Sequence, residues 1–353
     1  MPACNMIQNQ IFFNMSNNIV PCCVFDANPN KLTKTINDYY NSPLYNKLLD
    51  SNENDYWVDE CHRCKSAEEG GGFSERKKAN RIFSGKEQIE SLQFAISNYC
   101  NISCIMCNPR LSTTWQNLVR YDKELQGFTA KFNTVETFDI SQIKNINTQY
   151  IKNITITGGE PLTSPVLLQI INELDSRVDL SNVTINIHTN GTNVDVLYNN
   201  IWKKFKSVKI NLSIDGVEKL NDFMRLGSNW NQILQNYYNL KEMNLRLIIC
   251  TTISALNINS ISELYNFFSN DTFKPHILTF PTYLHYNSLP PAYFQKNVLT
   301  ESNLEVIHKY TTGLPYKFNS EGNKKLCNYI NVLRKHYKKD LKYYLPSIEE
   351  IFI

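Results

Sequence analysis

The sequence predicts an α/β chain built on an open, partial (β/α)6 barrel, with a small cysteine-rich module before it and a helical tail after it. Three observations carry this reading. From about Phe94 onward, short β-branched runs alternate with longer amphipathic ones. Eight of the ten cysteines lie in two early groups, before and just after that point. Beyond Thr300 the pattern is helical and charged. The implied divisions are 1–85 for the cysteine-rich module, 86–290 for the barrel and 291–353 for the tail.

Six segments read as strands: Phe94–Asn98, Ile151–Thr157, Val183–Thr189, Val208–Ile214, Arg246–Thr252 and His276–Phe280. Each is short, rich in Ile, Val, Thr or Phe, and closed by a polar or Gly/Pro signal. Between them, Val166–Leu174 places Val166, Leu167, Ile170, Ile171 and Leu174 on one helical face, and Trp230–Met243 repeats the pattern. Strand–helix alternation implies parallel strands joined by right-handed crossovers. A closed barrel of this type needs eight units, so six predict an open one. Arg110–Tyr150 is longer than one crossover helix and reads as an insertion. In the tail, Asn303–Thr311 and Asn323–Lys338 read as packing helices with a solvated face.

Hydrophobic residues make up 42% and charged residues 20%, which suits a globular core rather than disorder. With 36 basic and 33 acidic side chains the net charge is only +3, and no nucleic-acid or anionic-membrane partner is expected. Nothing approaches the roughly 18 apolar residues of a membrane span. The start, MPACNMIQNQ, has neither a basic n-region nor an apolar h-region, so a cytoplasmic protein is expected. In that reducing compartment, clustered thiols point to metal or redox chemistry rather than disulfides.

Directly after the first barrel strand comes Cys100-Asn101-Ile102-Ser103-Cys104-Ile105-Met106-Cys107. Three thiolates can hold three irons of a cubane and no more, whereas clusters usually take four cysteines. An iron without a protein ligand leaves a coordination position for substrate or cofactor, as the open site of a catalytic zinc does. A zinc ion would need a fourth ligand that the loop does not supply. At the end of the second strand, Gly158-Gly159-Glu160-Pro161 combines two glycines, which let backbone approach a ligand closely, with a carboxylate able to receive a cation. Ser213-Ile214-Asp215-Gly216 ends the fourth strand, and Thr189-Asn190-Gly191 follows the third.

The cysteine spacing, GGEP and SIDG, in this order at successive strand ends, resemble the radical S-adenosylmethionine superfamily. The resemblance implies a catalytic 4Fe–4S cluster on Cys100, Cys104 and Cys107, with S-adenosylmethionine chelating its open iron. By the same resemblance Gly158, Gly159, Glu160 and Pro161 receive the methionine ammonium, and Ser213 and Arg225 hold its carboxylate, the latter able to pair bidentately. Asp215 lies in the same stretch, and Asn190 has a weaker claim on the ribose. Many relatives carry an aromatic residue before the last loop cysteine; here it is Met106, whose polarizable sulfur can pack on adenine. Reductive cleavage to a 5′-deoxyadenosyl radical and hydrogen abstraction would follow, with an external electron donor such as flavodoxin or ferredoxin. His188, near a strand end, is a lesser catalytic candidate.

Cys4, Cys22, Cys23, Cys61 and Cys64, followed by Glu69, Gly72, Ser74 and Arg76, are similar to members with a SPASM or twitch-type module, here placed ahead of the barrel. Cys4, Cys61, Cys64 and one of Cys22 and Cys23 give the four thiolates of a closed auxiliary cluster. A structural zinc also suits C-C…C-x-x-C. His62 is expected to face solvent, while Cys250 and Cys327 are expected to be structural thiols. The resemblance implies a peptide or protein substrate first, and a small molecule of carbohydrate or cofactor biosynthesis second. A non-catalytic iron–sulfur or zinc scaffold would have no use for GGEP and SIDG beside the cysteine loop.

Overall fold

A computed structural model describes residues 3–26, 28–129, 137–243, 245–295, 301–310 and 316–352. The chain forms two compact units, one of residues 1–98, 134–188 and 197–209 and the other of 99–133, 189–196 and 210–353. Its strands are β1 (Gln10–Phe13), β2 (Ile19–Val20), β3 (Ser91–Ala95), β4 (Ser103–Cys104), β5 (Asn153–Thr157), β6 (Thr184–Thr189), β7 (Ser207–Ser213), β8 (Arg225–Leu226), β9 (Arg246–Ile253) and β10 (Thr272–Ile277).

In the first unit the strand order is β2-β1-β3-β5-β6. β1, β3, β5 and β6 run parallel, and β2 turns back antiparallel on β1. Parallel strands covered on both faces read as near-continuous apolar runs, and β3 shows this with only Gln93 partly exposed. The helix Val166–Asp175 buries all five of its expected apolar residues. In the second unit β9 lies between β7 and β10 and pairs parallel with β10, while the short β4 and β8 pair antiparallel by themselves.

The six expected strands correspond to β3, β5, β6, β7, β9 and β10, confirming a mixed α/β fold with parallel strands. Two of them sit elsewhere than expected. β3 starts at Ser91 rather than Phe94, because the polar Ser91 and Gln93 are drawn into the ladder opposite Gln10 and Phe12 of β1. β10 runs Thr272–Ile277 and carries Pro275 inside it, which an edge strand tolerates because one side of its backbone needs no partner. The connection from β6 to β7 holds 3-10 turns, Asp195–Tyr198 and Asn200–Lys204, instead of an α-helix.

The first residues also do more than their irregular sequence implied. Although it has only four residues, β1 places Phe13 on the core face, stacked on Phe94 at 5.4 Å and edge-on to Phe138 at 5.1 Å. The long stretch from Arg110 to Tyr150 contains the helices Thr113–Tyr121 and Lys123–Gln126 and a 3-10 segment, Ile140–Asn145; residues 130–136 lie outside those described. The tail is helical at Glu301–Tyr310 and Ser320–Leu333, with Thr311 outside the described residues. Beyond Leu333 the expected helix gives way to a 3-10 turn, Arg334–His336. Among the described residues no helix is long and apolar enough to cross a membrane.

Phe13 is fully buried in this aromatic cluster, so Phe13→Ala should cost about 3–5 kcal/mol, the usual range for truncating a core Phe. Denaturant unfolding followed by tryptophan fluorescence and circular dichroism would check it. One shifted transition is expected; a separate early transition of the N-terminal stretch, with the main one unmoved, would contradict the shared core.

Candidate cluster and cofactor site

In the second unit, the cysteine loop is held almost entirely through its backbone. The Cys100 amide donates to Thr113 Oγ1 at 3.2 Å, and the Cys100 carbonyl accepts from the Thr113 and Thr114 hydroxyls at 3.1 and 2.7 Å. Cys104 lies in β4 opposite Arg225 of β8, and its carbonyl accepts the Trp115 indole N–H at 2.8 Å. The Ile102 carbonyl accepts from Ser112, and the Ile105 carbonyl from the Tyr329 hydroxyl at 2.7 Å. The Cys107 amide donates to the Cys104 carbonyl at 2.9 Å, closing the turn. These bonds fix the main chain and leave the sulfurs for other partners.

A buried ion pair stands beside the sulfurs. Arg225 Nη2 lies 2.8 Å from Asp215 Oδ2, and Arg225 Nη1 donates to Cys104 Sγ at 3.6 Å. Asp215 is fixed in turn: its carboxylate accepts the Thr252 amide at 2.7 Å and the Thr251 hydroxyl at 3.4 Å, and its carbonyl accepts from Asn257 at 2.9 Å. Arg225 Nε and Asp215 Oδ2 are nonetheless buried without a well-directed hydrogen bond. Burial works against the Arg225 charge, but Asp215 and Cys104 more than offset it and hold its pKa above the ordinary value. Burial pushes the Cys104 thiol strongly upward and Cys107 up to about 12, with Cys100 adding to both and Cys107 adding to Cys104. Neutral, desolvated thiols become good ligands once a cation arrives to take the place of their protons.

Asn190 is buried and donates to Asn101 of the loop at 3.0 Å, while its own oxygen accepts from the Thr192 amide and hydroxyl. Met106 and Ser213 are partly exposed. Cys250 is buried, with its thiol toward Asn211, and Cys327 points at the Ile351 carbonyl. The second unit thus gathers Cys100, Cys104, Cys107, Asn190, Asp215 and Arg225. Several supports went unnoticed in the sequence, among them Thr113, Thr114, Trp115, Thr251, Thr252 and Tyr329. Only Ser112-Thr113-Thr114, a polar triplet just after the loop, offered a signal.

Gly158, Gly159, Glu160 and Pro161 belong to the first unit. The Gly159 amide donates to the Ser97 carbonyl at 2.7 Å. Gly158 has φ +150°, and a Cβ there would stand 2.6 Å from the same carbonyl oxygen, so only glycine fits. Glu160 is almost fully buried, and one of its oxygens accepts the Leu162 amide at 3.0 Å to cap the turn Pro161–Thr163.

The first unit also holds a small cavity lined by Cys4, Cys22, Cys61 and Cys64, with Trp57 and Arg76 in its wall. Cys23 is not in the lining and is exposed. Burial raises Cys4 to about 11, Cys61 to about 12 and Cys22 well above its ordinary value. Arg76 is anchored by Glu68 through Nε at 2.9 Å and Nη2 at 2.5 Å, and Ser74 donates to the same carboxylate. The guanidinium holds the Glu68 carboxyl below its ordinary range. The residue that joins Ser74 and Arg76 is therefore Glu68; Glu69 is exposed and lies 3.9 Å from Lys65. Arg76 Nη1 and Asn80 both donate to the Ala3 carbonyl, and Asn52 takes the Cys4 amide, so Cys4 is positioned by protein contacts alone. His62 is exposed and turned toward Asp26 at 3.7 Å. Among the described residues, no three His, Cys, Asp or Glu side chains converge closely enough to hold a single metal ion.

Residues 94–268 match the family model of the Radical SAM superfamily. The chain is 26% identical over 185 residues to a GTP 3',8-cyclase of Petrotoga mobilis, covering 51% of each protein. It is 28% identical over 208 residues to an S-adenosylmethionine-dependent nucleotide dehydratase of Flammeovirga pacifica, covering 56% of this chain and 63% of the relative. A radical SAM cyclopropyl synthase of Paramaledivibacter caminithermalis is 25% identical over 202 residues, covering 56% of this chain and 40% of that protein. The chain therefore spans between two fifths and just under two thirds of the length of these relatives.

Removing the Asp215 charge would strand Arg225, which has only 9% of its side chain exposed. Asp215→Asn should lower stability by about 3–5 kcal/mol, the cost of breaking a buried pair from one side. Replacing both partners, as in Asp215→Leu with Arg225→Met, should recover much of that loss. Thermal unfolding of the apoprotein measures both; a single variant as stable as the wild type would contradict the pairing.

Proposed function

The chain belongs to the radical SAM superfamily, and from that premise we propose that it is an enzyme of this class, with Cys100, Cys104 and Cys107 holding a 4Fe–4S cluster. The observation that carries the proposal is the loop itself: its backbone bonds are satisfied by Thr113, Thr114, Trp115 and Tyr329, leaving three thiols beside a guanidinium. Such a donor set fits a cubane with one open iron, and Arg225 Nε, buried without a hydrogen bond, marks a place for a further polar group. When bound, a reduced cluster and S-adenosylmethionine together supply a 5′-deoxyadenosyl radical for hydrogen abstraction.

The residues of this chain bind and orient. Arg225 and Ser213 receive the cofactor carboxylate, and Asp215 keeps Arg225 charged and aimed. The backbone of Gly158 and Gly159, with Glu160 and Pro161, receives the ammonium; Asn190 serves the ribose and Met106 packs on the adenine.

Cys4, Cys22, Cys61 and Cys64 serve as ligands of a second, auxiliary iron–sulfur cluster, with Cys23 left over. Their shared cavity supports this. A peptide or protein substrate and a small-molecule one are both in keeping with the relatives, whose names include a nucleotide dehydratase and a cyclopropyl synthase.

Anaerobically reconstituted protein treated with dithionite should convert S-adenosylmethionine to 5′-deoxyadenosine and methionine. The Cys100→Ala, Cys104→Ala, Cys107→Ala variant should form none while keeping the auxiliary iron. Chromatography showing no 5′-deoxyadenosine from fully loaded wild type would overturn the assignment. The two adjacent cysteines separate cleanly: Cys22→Ser should lose the auxiliary iron, and Cys23→Ser should keep it. Iron and sulfide analysis on the loop-variant background checks this, and zinc in place of iron would return the site to a structural role.

A further inference from the structure

A broad cleft in the second unit, open to solvent, has no part in the site described above. Its floor is Leu226 and Gly227, its far wall the tail segment 336–344, and Trp230 and Phe267 close one end. That floor is the continuation of β8, in which Arg225 pairs with Cys104 and Leu226 with Ser103. A Cβ on Gly227 would touch Ile102 of the cysteine loop at 3.7 Å. The cleft therefore reaches the back of the loop through a single layer of main chain. Tyr337 adds a second bridge, since it lines the cleft while its hydroxyl donates to the Phe223 carbonyl and its ring packs on Phe223 at 5.1 Å.

The rim is positive. Lys219 and Lys339 converge on the ring of Tyr343 at 4.9 and 3.8 Å, and Lys338 adjoins them. Among the described residues none of the three lysines has a carboxylate partner, whereas the neighbouring Lys335 and His336 pair with Glu124 and Asp122. Of the two acids in the lining, Asp222 accepts from Ser228 and from the Trp230 amide, so only Glu218 faces the lysines without a bond of its own. Two ammonium groups on one tyrosine and a third beside them, none with a carboxylate partner among the described residues, attract a negatively charged partner. Tyr343 and Phe267 are each more than two-fifths exposed and add apolar contact beside the charge. An open cleft with a charged rim and scattered apolar contacts matches a small, transient protein interface, in which complementary charge sets encounter rate and orientation.

We propose that this cleft is the docking surface for a small acidic electron-carrier protein, which delivers one electron through the β8 floor to the cluster held by Cys100, Cys104 and Cys107. It rests on the cluster reading above. The carrier, a reduced flavin or iron–sulfur protein, is oxidised by one electron and the cluster is reduced by one; no bond is made or broken in the step.

Reversing the rim tests it. In Lys219→Glu, Lys338→Glu, Lys339→Glu protein, oxidised flavodoxin should bind at least about tenfold more weakly at low salt, by titration calorimetry. Flavodoxin-driven formation of 5′-deoxyadenosine should fall in step, while the dithionite-driven rate and the thermal midpoint stay at wild-type values. Wild-type binding should weaken with added salt, and the reversed variant should lose most of that dependence. The corresponding Lys→Gln variant, which removes charge without adding any, should fall between the two. Unchanged flavodoxin binding and delivery would overturn the proposal, as would equal losses with dithionite and flavodoxin. A wild type that binds flavodoxin at this rim yet cleaves nothing with dithionite would instead overturn the cluster reading, and the electron-delivery role with it.

Discussion

The second unit turns on one buried charge pair, Asp215 with Arg225. Bringing two ions out of water costs several kcal/mol each, and only good geometry with further hydrogen bonds repays it. Here Asp215 takes bonds from Thr251, Thr252 and Arg225, while Asn221 and Asn257 fix its backbone. Thr251 and Thr252 lie in β9, Arg225 in β8 opposite Cys104, Asn221 in the helix Lys219–Met224 and Asn257 after β9, so the end of β7, the end of β9, the strand β8 and the cysteine loop are set by a common requirement. An isolated arginine beside a desolvated thiol would be unstable. With its carboxylate behind it, the arginine becomes a fixed positive group where ionised thiols need one.

The first unit solves the same problem with other residues. Arg76 is buried and paired with Glu68, whose carboxylate also accepts from Ser74, and its charge favours the ionised form of Cys4. In both sites a carboxylate holds a guanidinium, and the guanidinium faces cysteines whose ionised form burial disfavours. Thiolate ligands carry more negative charge than a cluster core cancels, so a neighbouring cation lowers the cost of gathering them in a dry place. The parallel is one of chemistry, since the two arginines lie in unrelated local structures, a strand and a helix.

Much of this was legible in the sequence, and the parts that were not have identifiable reasons. β5, β6, β7 and β9 fall within two residues of their expected ends, because β-branched runs closed by polar signals are strong cues. β1 was missed because Gln10–Phe13 is too short to show a period and becomes a strand only against β3. Choosing Cys22 over Cys23 needs the turn that sends adjacent side chains apart, and spacing alone cannot express it. Glu68 and Glu69 differ for a like reason: one step along a helix turns a side chain by about 100°, and only Glu68 points at Arg76. The supports of the cysteine loop come from residues up to 224 positions away, beyond the reach of any local pattern.

The hydroxyls of Tyr329 and Tyr337, which satisfy the carbonyls of Ile105 and Phe223, have a practical bearing on where this domain ends. Both lie well past residue 268, where the family match stops. A minimal fragment cut to residues 94–268 would keep every cysteine of the loop and lose the phenol that satisfies its Ile105 carbonyl, along with the one that satisfies Phe223. It would also uncover Phe223, against which Tyr337 and Tyr344 pack. For this chain the family boundary and the folding boundary are different, and the helical tail belongs to the machinery it covers.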